Sequence, residues 1–364
     1  MGGRRVALLA VIVLALVGCR AAPEAPAAPA GGRTAPAASA PAVAATPVAN
    51  PTPWPAGSPR TSLKVGLNAV SAGMAPLWVA KDAGIFDKYG FDVEFVTLQS
   101  SSQVAKVMAS GEISLALSAA AGVVDAALAG DDQVLISSYQ PYMNFWVHAR
   151  PDITRITDLR GKRVGATRIG SGAHLGVVEM LRKAGLEPDQ DAAVMQLGGM
   201  PEVYGALTAG AIDAGIFSMP WNFRAQDEGF PQLHDVSADR IPYLQTGLAT
   251  SRQYLRQNEE LVRRFMMAHL EGLARVHTDK PTTVESIARN LKSEDLALME
   301  RTYDMMVPLL ERIPYPVAPS IQTVIDQRAA ENPAARNLTP AQVSDERYVR
   351  ELEDSGFIAR LYRS

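Results

Sequence analysis

Asp158-Leu-Arg-Gly-Lys-Arg-Val-Gly-Ala-Thr-Arg-Ile-Gly-Ser-Gly-Ala-His-Leu-Gly176 is followed, over residues 177–184, by a run whose apolar side chains recur at helical spacing. The stretch reads as strand, turn, helix. Residues 164–167 are short and apolar, Gly170 and Gly172 permit a tight turn, and Leu175, Val178 and Leu181 then share one helical face. A helix therefore starts near Ser171. Its first turn offers N–H groups without intrahelical partners and the positive end of the helix dipole, with the Ser171 hydroxyl and Arg168 beside it. Such an end suits an anionic or strongly polar ligand group. A dinucleotide loop has a different pattern. Here Gly170-x-Gly172-x-x-x-Gly176 brings its last glycine one residue late, and no Asp or Glu stands where a ribose clamp belongs. A plain αβ connection without a ligand is the simpler alternative, and the rest of the chain decides between the two.

Outward from this stretch, strand and helix patterns alternate. Upstream, strands are expected at 63–67, 91–96, 113–117 and 133–138, with helices at 75–83, 103–109 and 123–129. Downstream, strands at 193–197 and 212–217 enclose a helix at 202–209. Alternation of this length implies mostly parallel sheets covered by helices, an α/β fold. One internal echo divides it in two: Met108-Ala-Ser-Gly111-Glu-Ile113-Ser-Leu-Ala-Leu117 matches Leu207-Thr-Ala-Gly210-Ala-Ile212-Asp-Ala-Gly-Ile216, each a helix end, a glycine cap and a buried strand. Long helices are expected at 258–278, 282–291 and 294–306, the first with Leu261, Phe265, Ala268 and Leu273 on its packed face. The tail, 314–364, reads as shorter helices broken at Asn332-Pro333 and before Pro340, wrapping the surface.

The ends point to export. Arg4 and Arg5 precede an apolar run at 6–17 that is too short to span a bilayer, so residues 1–18 read as a signal peptide. Its end, Leu16-Val17-Gly18-Cys19, resembles the lipobox of bacterial lipoproteins, which implies cleavage before Cys19 and lipidation of its thiol. Cys19 is the only cysteine, which rules out an intrachain disulfide, a cysteine metal cluster and a cysteine nucleophile in the folded part. Residues 19–61 are dominated by Ala and Pro and are expected to be a disordered tether. Extended at the rise of a polyproline-type chain, it would reach roughly 100 Å. The net charge of −3 is nearly balanced, and no basic stripe interleaved with aromatics points to nucleic acid. No later apolar segment reaches transmembrane length.

Ala75-Pro-Leu-Trp-Val-Ala-Lys-Asp-Ala-Gly-Ile-Phe86, Tyr89-Gly-Phe-Asp-Val93, Ala109-Ser-Gly111-Glu-Ile113, Asp158-Leu-Arg-Gly-Lys-Arg-Val-Gly165 and Ala209-Gly-Ala-Ile-Asp-Ala214 occur in an order and spacing that resembles one protein family. It is the group of solute-binding proteins of ATP-driven (ABC) importers that includes the aliphatic-sulfonate, taurine, nitrate and thiamine-pyrimidine-precursor binders. The resemblance covers about residues 63–220. It implies the two-lobed type II periplasmic-binding-protein fold, each lobe a mixed, mostly parallel sheet flanked by helices, here with a helical C-terminal extension. Two crossing segments would join the lobes, placed near 145–149 and 247–250, so that lobe 1 comprises 62–146 plus 247–364 and lobe 2 comprises 147–246. It further implies a monomer without a cofactor, lipid-anchored at a membrane, that passes its ligand to a permease and its ATPase. Related enzymes that synthesise the pyrimidine precursor carry a cysteine-rich iron motif that this chain lacks, and neither a Gly-x-Ser-x-Gly elbow nor a His-Glu-x-x-His motif is present. A ligand sensor on the same fold is the alternative, separable by whether importer genes lie beside this one.

Ligands of open α/β sheets bind outside the carboxyl ends of strands. That rule selects Ser71, Gly73 and Met74 after the first strand, Gln99 to Ser102 after the second and Ser118 after the third, with Tyr139 and Asn144 before the crossing. In the second lobe it selects Arg168, Ser171, Gly172 and His174 at the helix start, and Met219 and Trp221 after the 212–217 strand. Hydroxyls and backbone N–H groups would fix polar ligand atoms, while Trp221 and Met74 would stack on an apolar or aromatic part. Trp78, inside a helix, is expected in the core; Met200 and Met219 suit core and cleft equally. His174 has no second histidine at metal-ligand spacing and is expected to bond at the helix start. His269 and His277 are expected to face solvent. The candidate loops hold few cations besides Arg168, so a planar heterocycle such as a pyrimidine or flavin stands ahead of a sulfonate.

Overall fold

Strand β1 (Thr61–Leu67) opens the folded chain, followed by β2 (Phe91–Thr97), β3 (Leu115–Ser118), β4 (Gln133–Leu135) and β5 (Gln140–Tyr142). Then come β6 (Trp146–Ala149), β7 (Arg163–Ala166), β8 (Ala193–Gln196), β9 (Ala214–Phe217), β10 (Gln232–Asp235) and the long β11 (Pro242–Ser251). This computed structural model describes residues 54–55, 57–98 and 100–363. The expected signal peptide, Cys19, most of the expected tether, and Gln99 lie outside the described residues.

Two sheets result. One runs β2-β1-β3-β11-β4 with β5 added against β11; the other runs β8-β7-β9-β6-β10. In each, the first strand of a βαβ run pairs in parallel with its second and third, and the third pairs with one antiparallel strand. The sequence echo is therefore topological, since β3 and β9 hold the same place in the two sheets. Helices cover the parallel strands, as short crossover connections require, and the result is a two-lobed mixed α/β fold with a helical C-terminal extension.

The stretches expected to cross between lobes are strands inside the sheets. β6 pairs along its whole length with β9, and Gly247–Ala249 of β11 pair with β3. Just before each of them the two chain segments run side by side: Pro242 and Thr246 of β11 pair with Tyr142 and Gln140 of β5. One continuous strand thus carries the chain from the cleft into the first sheet. Gly247 is needed there, because a Cβ would sit 2.1 Å from the Ser137 carbonyl oxygen.

Two large apolar clusters hold this together. The first lies mainly in lobe 1, takes in Trp78, Phe86, Phe91 and Phe265, and reaches Met219 and Phe223 of lobe 2. The second passes from Val104 and Val123 in lobe 1, through Met143, Phe145, Tyr243 and Leu244, to Val164 and Ile216 in lobe 2. The long helices run Glu259–Thr278, Lys280–Leu291 and Leu296–Met306. Asp279 and Asp295 cap the last two by accepting from the Thr282 and Leu298 amides, 3.1 and 2.9 Å.

The histidines on the first of these helices correct the sequence expectation. His269 is 0 % exposed. Its Nε2 lies 3.4 Å from Ser137 Oγ and its ring 5.6 Å from that of Tyr139, and burial pushes its pKa down to about 4. His277 is partly buried against Tyr362 and is pushed down as far, by burial and then by Arg312. The physical reason is that the helix is enclosed on several sides, with Met266 through Leu270 all buried in succession, so its apolar stripe marks only one of its contacts.

Candidate functional site

β7 ends at Ala166, and residues 167–171 turn into the Gly172–Lys183 helix. Ser171 caps that helix by accepting from the His174 amide at 3.2 Å. Thr167 Oγ1 lies 3.1 Å from Ser171 Oγ, the Ser171 amide donates to the Arg168 carbonyl at 3.1 Å, and the Ile169 amide donates to Gln196 Oε1 at 3.0 Å. The turn closes because Gly170 takes φ +79°, a left-handed conformation that glycine adopts without cost. Gly172 is dictated differently: a Cβ there would meet the Tyr243 ring at 2.8 Å. In lobe 1, Ser100 likewise caps the Ser101–Ala109 helix, accepting from Gln103 at 3.2 Å.

Between these helix starts lies a cavity of about 240 Å³, lined from both lobes and from β11. It brings together Ser71, Met74, Arg168, Ser171 and Gly172, along with Ser100, Ser101 and Ser102. The other candidates lie off its wall, each for a visible reason. Tyr139 is fully buried and donates to the Gly73 carbonyl at 2.8 Å, which engages both residues in holding the first loop. Ser118 donates to the neighbouring Ala119 carbonyl at 3.2 Å. Asn144 is buried, and its amide donates to Gln245 Oε1 at 2.7 Å. His174 Nδ1 accepts from the Gly170 amide at 3.4 Å, the helix-start role expected of it. Met219 packs in the lobe 1 core. Trp221 lies against Tyr204, ring centroids 5.6 Å apart, and under Arg224 at 4.8 Å.

Sequence reasoning passed over Tyr243, Gln245 and Thr246 on β11, and also Asn68 and Glu202, all of which line the cavity. Two of these matter chemically. Tyr243 is 1 % exposed and its hydroxyl has no hydrogen-bond partner among the described residues; the Asn68 side-chain oxygen is likewise buried without one among them. Buried polar groups are almost always satisfied, which makes these two lining residues candidates for contact with ligand atoms. Burial, the largest cause, pushes the Tyr243 pKa up to about 12, with Arg328 lowering it and Asp125 raising it. The hydroxyl therefore keeps its proton at neutral pH and can donate. Arg168 and Glu202 bring opposite charges to the same space, while Met74 and Phe145 supply apolar surface. The walls suit a small molecule that carries both donors and acceptors. No group of three or more His, Cys, Asp or Glu among the described residues is placed to hold a metal ion, and no helix among them is long and apolar enough to cross a membrane.

A family model described as NMT1/THI5 like matches residues 71–282, over half the chain and parts of both sheets. The chain belongs to the NMT1/THI5-like family. Solved structures agree on the fold of this NMT1/THI5-like protein. A protein from Bordetella bronchiseptica RB50 superposes with a TM-score of 0.70 at 17% identity, over 81% of this chain and 98% of that one. The periplasmic aliphatic sulphonate binding protein SsuA from Escherichia coli gives 0.63 at 19%, over 78% and 96%. The periplasmic nitrate-binding protein NrtA from Synechocystis PCC 6803 gives 0.69 at 15%, over 83% and 91%. No curated protein matches the sequence. Family and fold agree: the chain carries the two-lobed fold seen in these solved structures and belongs to the NMT1/THI5-like family.

Proposed function

We propose that this protein captures a small organic molecule in the cleft between its lobes and hands it to the permease and ATPase of an importer, held at a membrane by a lipid on Cys19. The observation that carries the reading is a cavity lined from both lobes in which the Tyr243 hydroxyl and the Asn68 oxygen lie buried without partners among the described residues. Closure of the lobes, 62–146 with 247–364 against 147–246, would seat the ligand, and only a ligand that binds the closed form better can drive it.

A heterocycle ahead of a sulfonate remains the proposal. SsuA and NrtA are named for acceptor-rich anions, whereas Arg168 here shares its cavity with the Glu202 carboxylate, and an acceptor oxygen on Asn68 calls for a ligand donor. Size narrows the class further. A cavity of about 240 Å³ is small beside ordinary ligand pockets of roughly 300–1,000 Å³, which favours a single ring such as a pyrimidine over a flavin.

Mass spectrometry of the small molecules released when the purified protein is denatured tests the proposal directly. A stoichiometric single-ring heterocycle is the expected result. An empty protein that also shows no thermal stabilisation with pyrimidines, flavins, sulfonates or nitrate would overturn it, since ligand at a hundredfold excess over Kd stabilises by about 2.7 kcal/mol. If the released molecule is an anion, replacing Arg168 and Ser171 together by Ala weakens its binding by more than about tenfold, the loss of charge-assisted hydrogen bonds. Unchanged affinity would remove the 167–171 turn from the site.

A further inference from the structure

Arg328 lies on the Ala318–Glu331 helix of the C-terminal extension, which packs on β11 and on the Ala120–Leu128 helix of lobe 1. Its side chain is 9 % exposed, and its guanidinium engages Asp125 of that second helix with two bonds, Nε to Oδ1 at 2.6 Å and Nη2 to Oδ2 at 3.1 Å. The same Nη2 donates at 3.0 Å to the carbonyl oxygen of Gly170, in the turn of lobe 2 that carries Arg168 and Ser171 to the cavity. One cation held on lobe 1 therefore reaches across to the ligand loop of lobe 2. That loop is itself fastened to lobe 2 by its bonds to Gln196 and within the 167–171 turn, so a pull on Gly170 is a pull on the lobe.

We propose that Arg328 is a positioning residue for the cleft: locked in orientation by Asp125, it holds the Gly170 carbonyl and so favours the closed arrangement of the lobes even without ligand. The inference rests on the cleft being a hinged binding site. The bidentate pair matters because it fixes the planar fork, leaving the third bond with little side-chain entropy to lose. The space is made for it: Gly170 has φ +79°, and a Cβ there would stand 3.3 Å from Arg328 Nη1. A second ion pair also links the lobes, Arg301 with Asp227 at 2.9 Å, but its side chains are 44% and 52% exposed. Such surface pairs contribute little, which makes Arg301 a control.

The distance between the lobes tests this without any ligand. Ala109 and Ala209 are exposed and end equivalent helices of the two lobes. Nitroxide labels at Ala109→Cys and Ala209→Cys, in the full chain carrying Cys19→Ser, report that distance by pulsed electron resonance. The parent is expected to show a closed population, and Arg328→Met to shift the closed-to-open ratio about tenfold or more toward open, the loss of one hydrogen bond to a charged group. Should Arg328→Met melt early, Gly170→Ala gives the same reading with the Arg328–Asp125 pair intact, by crowding the loop away from the guanidinium. Arg301→Ala is expected to leave the ratio unchanged. A parent with no closed population, unaltered distances in both latch variants, or an equal opening in Arg301→Ala would each overturn the proposal. Failure of the ligand panel to stabilise the protein while the latch variants still open the lobes would count against the binding reading alone.

Discussion

A buried hydroxyl left without a partner costs the folded protein about 1–3 kcal/mol, and Tyr243 carries that cost on the cavity wall. Removing only the oxygen separates the two uses of the side chain. Tyr243→Phe keeps the ring against Gly172, so the melting temperature of the empty protein should hold or rise. Affinity for the ligand recovered by mass spectrometry should fall by about tenfold, the value of one hydrogen bond at the upper end of its net range. Titration calorimetry of both forms checks this, and an affinity equal to the parent's would mean that the hydroxyl serves no ligand. Arg168, Ser171, Gly172, Ser71 and Met74 were legible from sequence because each follows a recognisable strand directly and meets the cavity through local chain geometry. Tyr243 and Gln245 were not. They sit in a strand whose partners, β5 and β3, are a hundred residues or more upstream, and no local pattern tells which side of such a strand faces a cleft.

Among the elements, the Glu259–Thr278 helix makes a pH prediction. The His269 pKa is about 4 in the folded protein against roughly 6.5 in an unfolded chain. Between those values the unfolded state binds the extra proton, so stability is complete above about pH 6.5 and is lost as pH falls toward 4. The loss from one such group is up to about 3 kcal/mol. His277 is displaced in the same direction and adds to it. Replacing His269 with Asn should therefore flatten the stability profile between pH 4.5 and 6.5 by roughly half, measured as urea midpoints across that window. A variant with the parent's full slope would show that the ring titrates elsewhere. Periodicity did locate this helix, since 258–278 was expected and Glu259–Thr278 is found. It misjudged the histidines because a hydrophobic stripe reports the face with the most apolar contact. It is silent on how many other elements close over the remaining faces, and here the turn at Ser137 and Tyr139 closes over His269.

At the scale of the molecule, alternation of strands and helices with a single echo was enough to specify two sheets, because βαβ units admit so few arrangements. The manner of their joining was not specified, since it depends on long-range pairing of β11 and on the docking of the C-terminal extension. That joining decides how the protein unfolds. Lobes linked only by flexible crossings would melt separately, as loosely joined domains do. Here one buried cluster continues from Val123 through Met143 and Leu244 to Ile216, and Ser320 of the extension donates to the Pro141 carbonyl at 2.7 Å beside the crossing. Unfolding either lobe would expose the cluster they share. We therefore expect a single transition in which far-ultraviolet circular dichroism and tryptophan fluorescence coincide, with Trp78 reporting lobe 1 and Trp221, packed against Val203, Leu207 and Phe217, reporting lobe 2. Leu244→Ala, a truncation at the midpoint of the cluster, should lower stability by about 2–5 kcal/mol and move both reporters together. If it instead splits the transition, with the Trp221 signal lost before that of Trp78, the lobes are independent folding units and the shared core does not couple them.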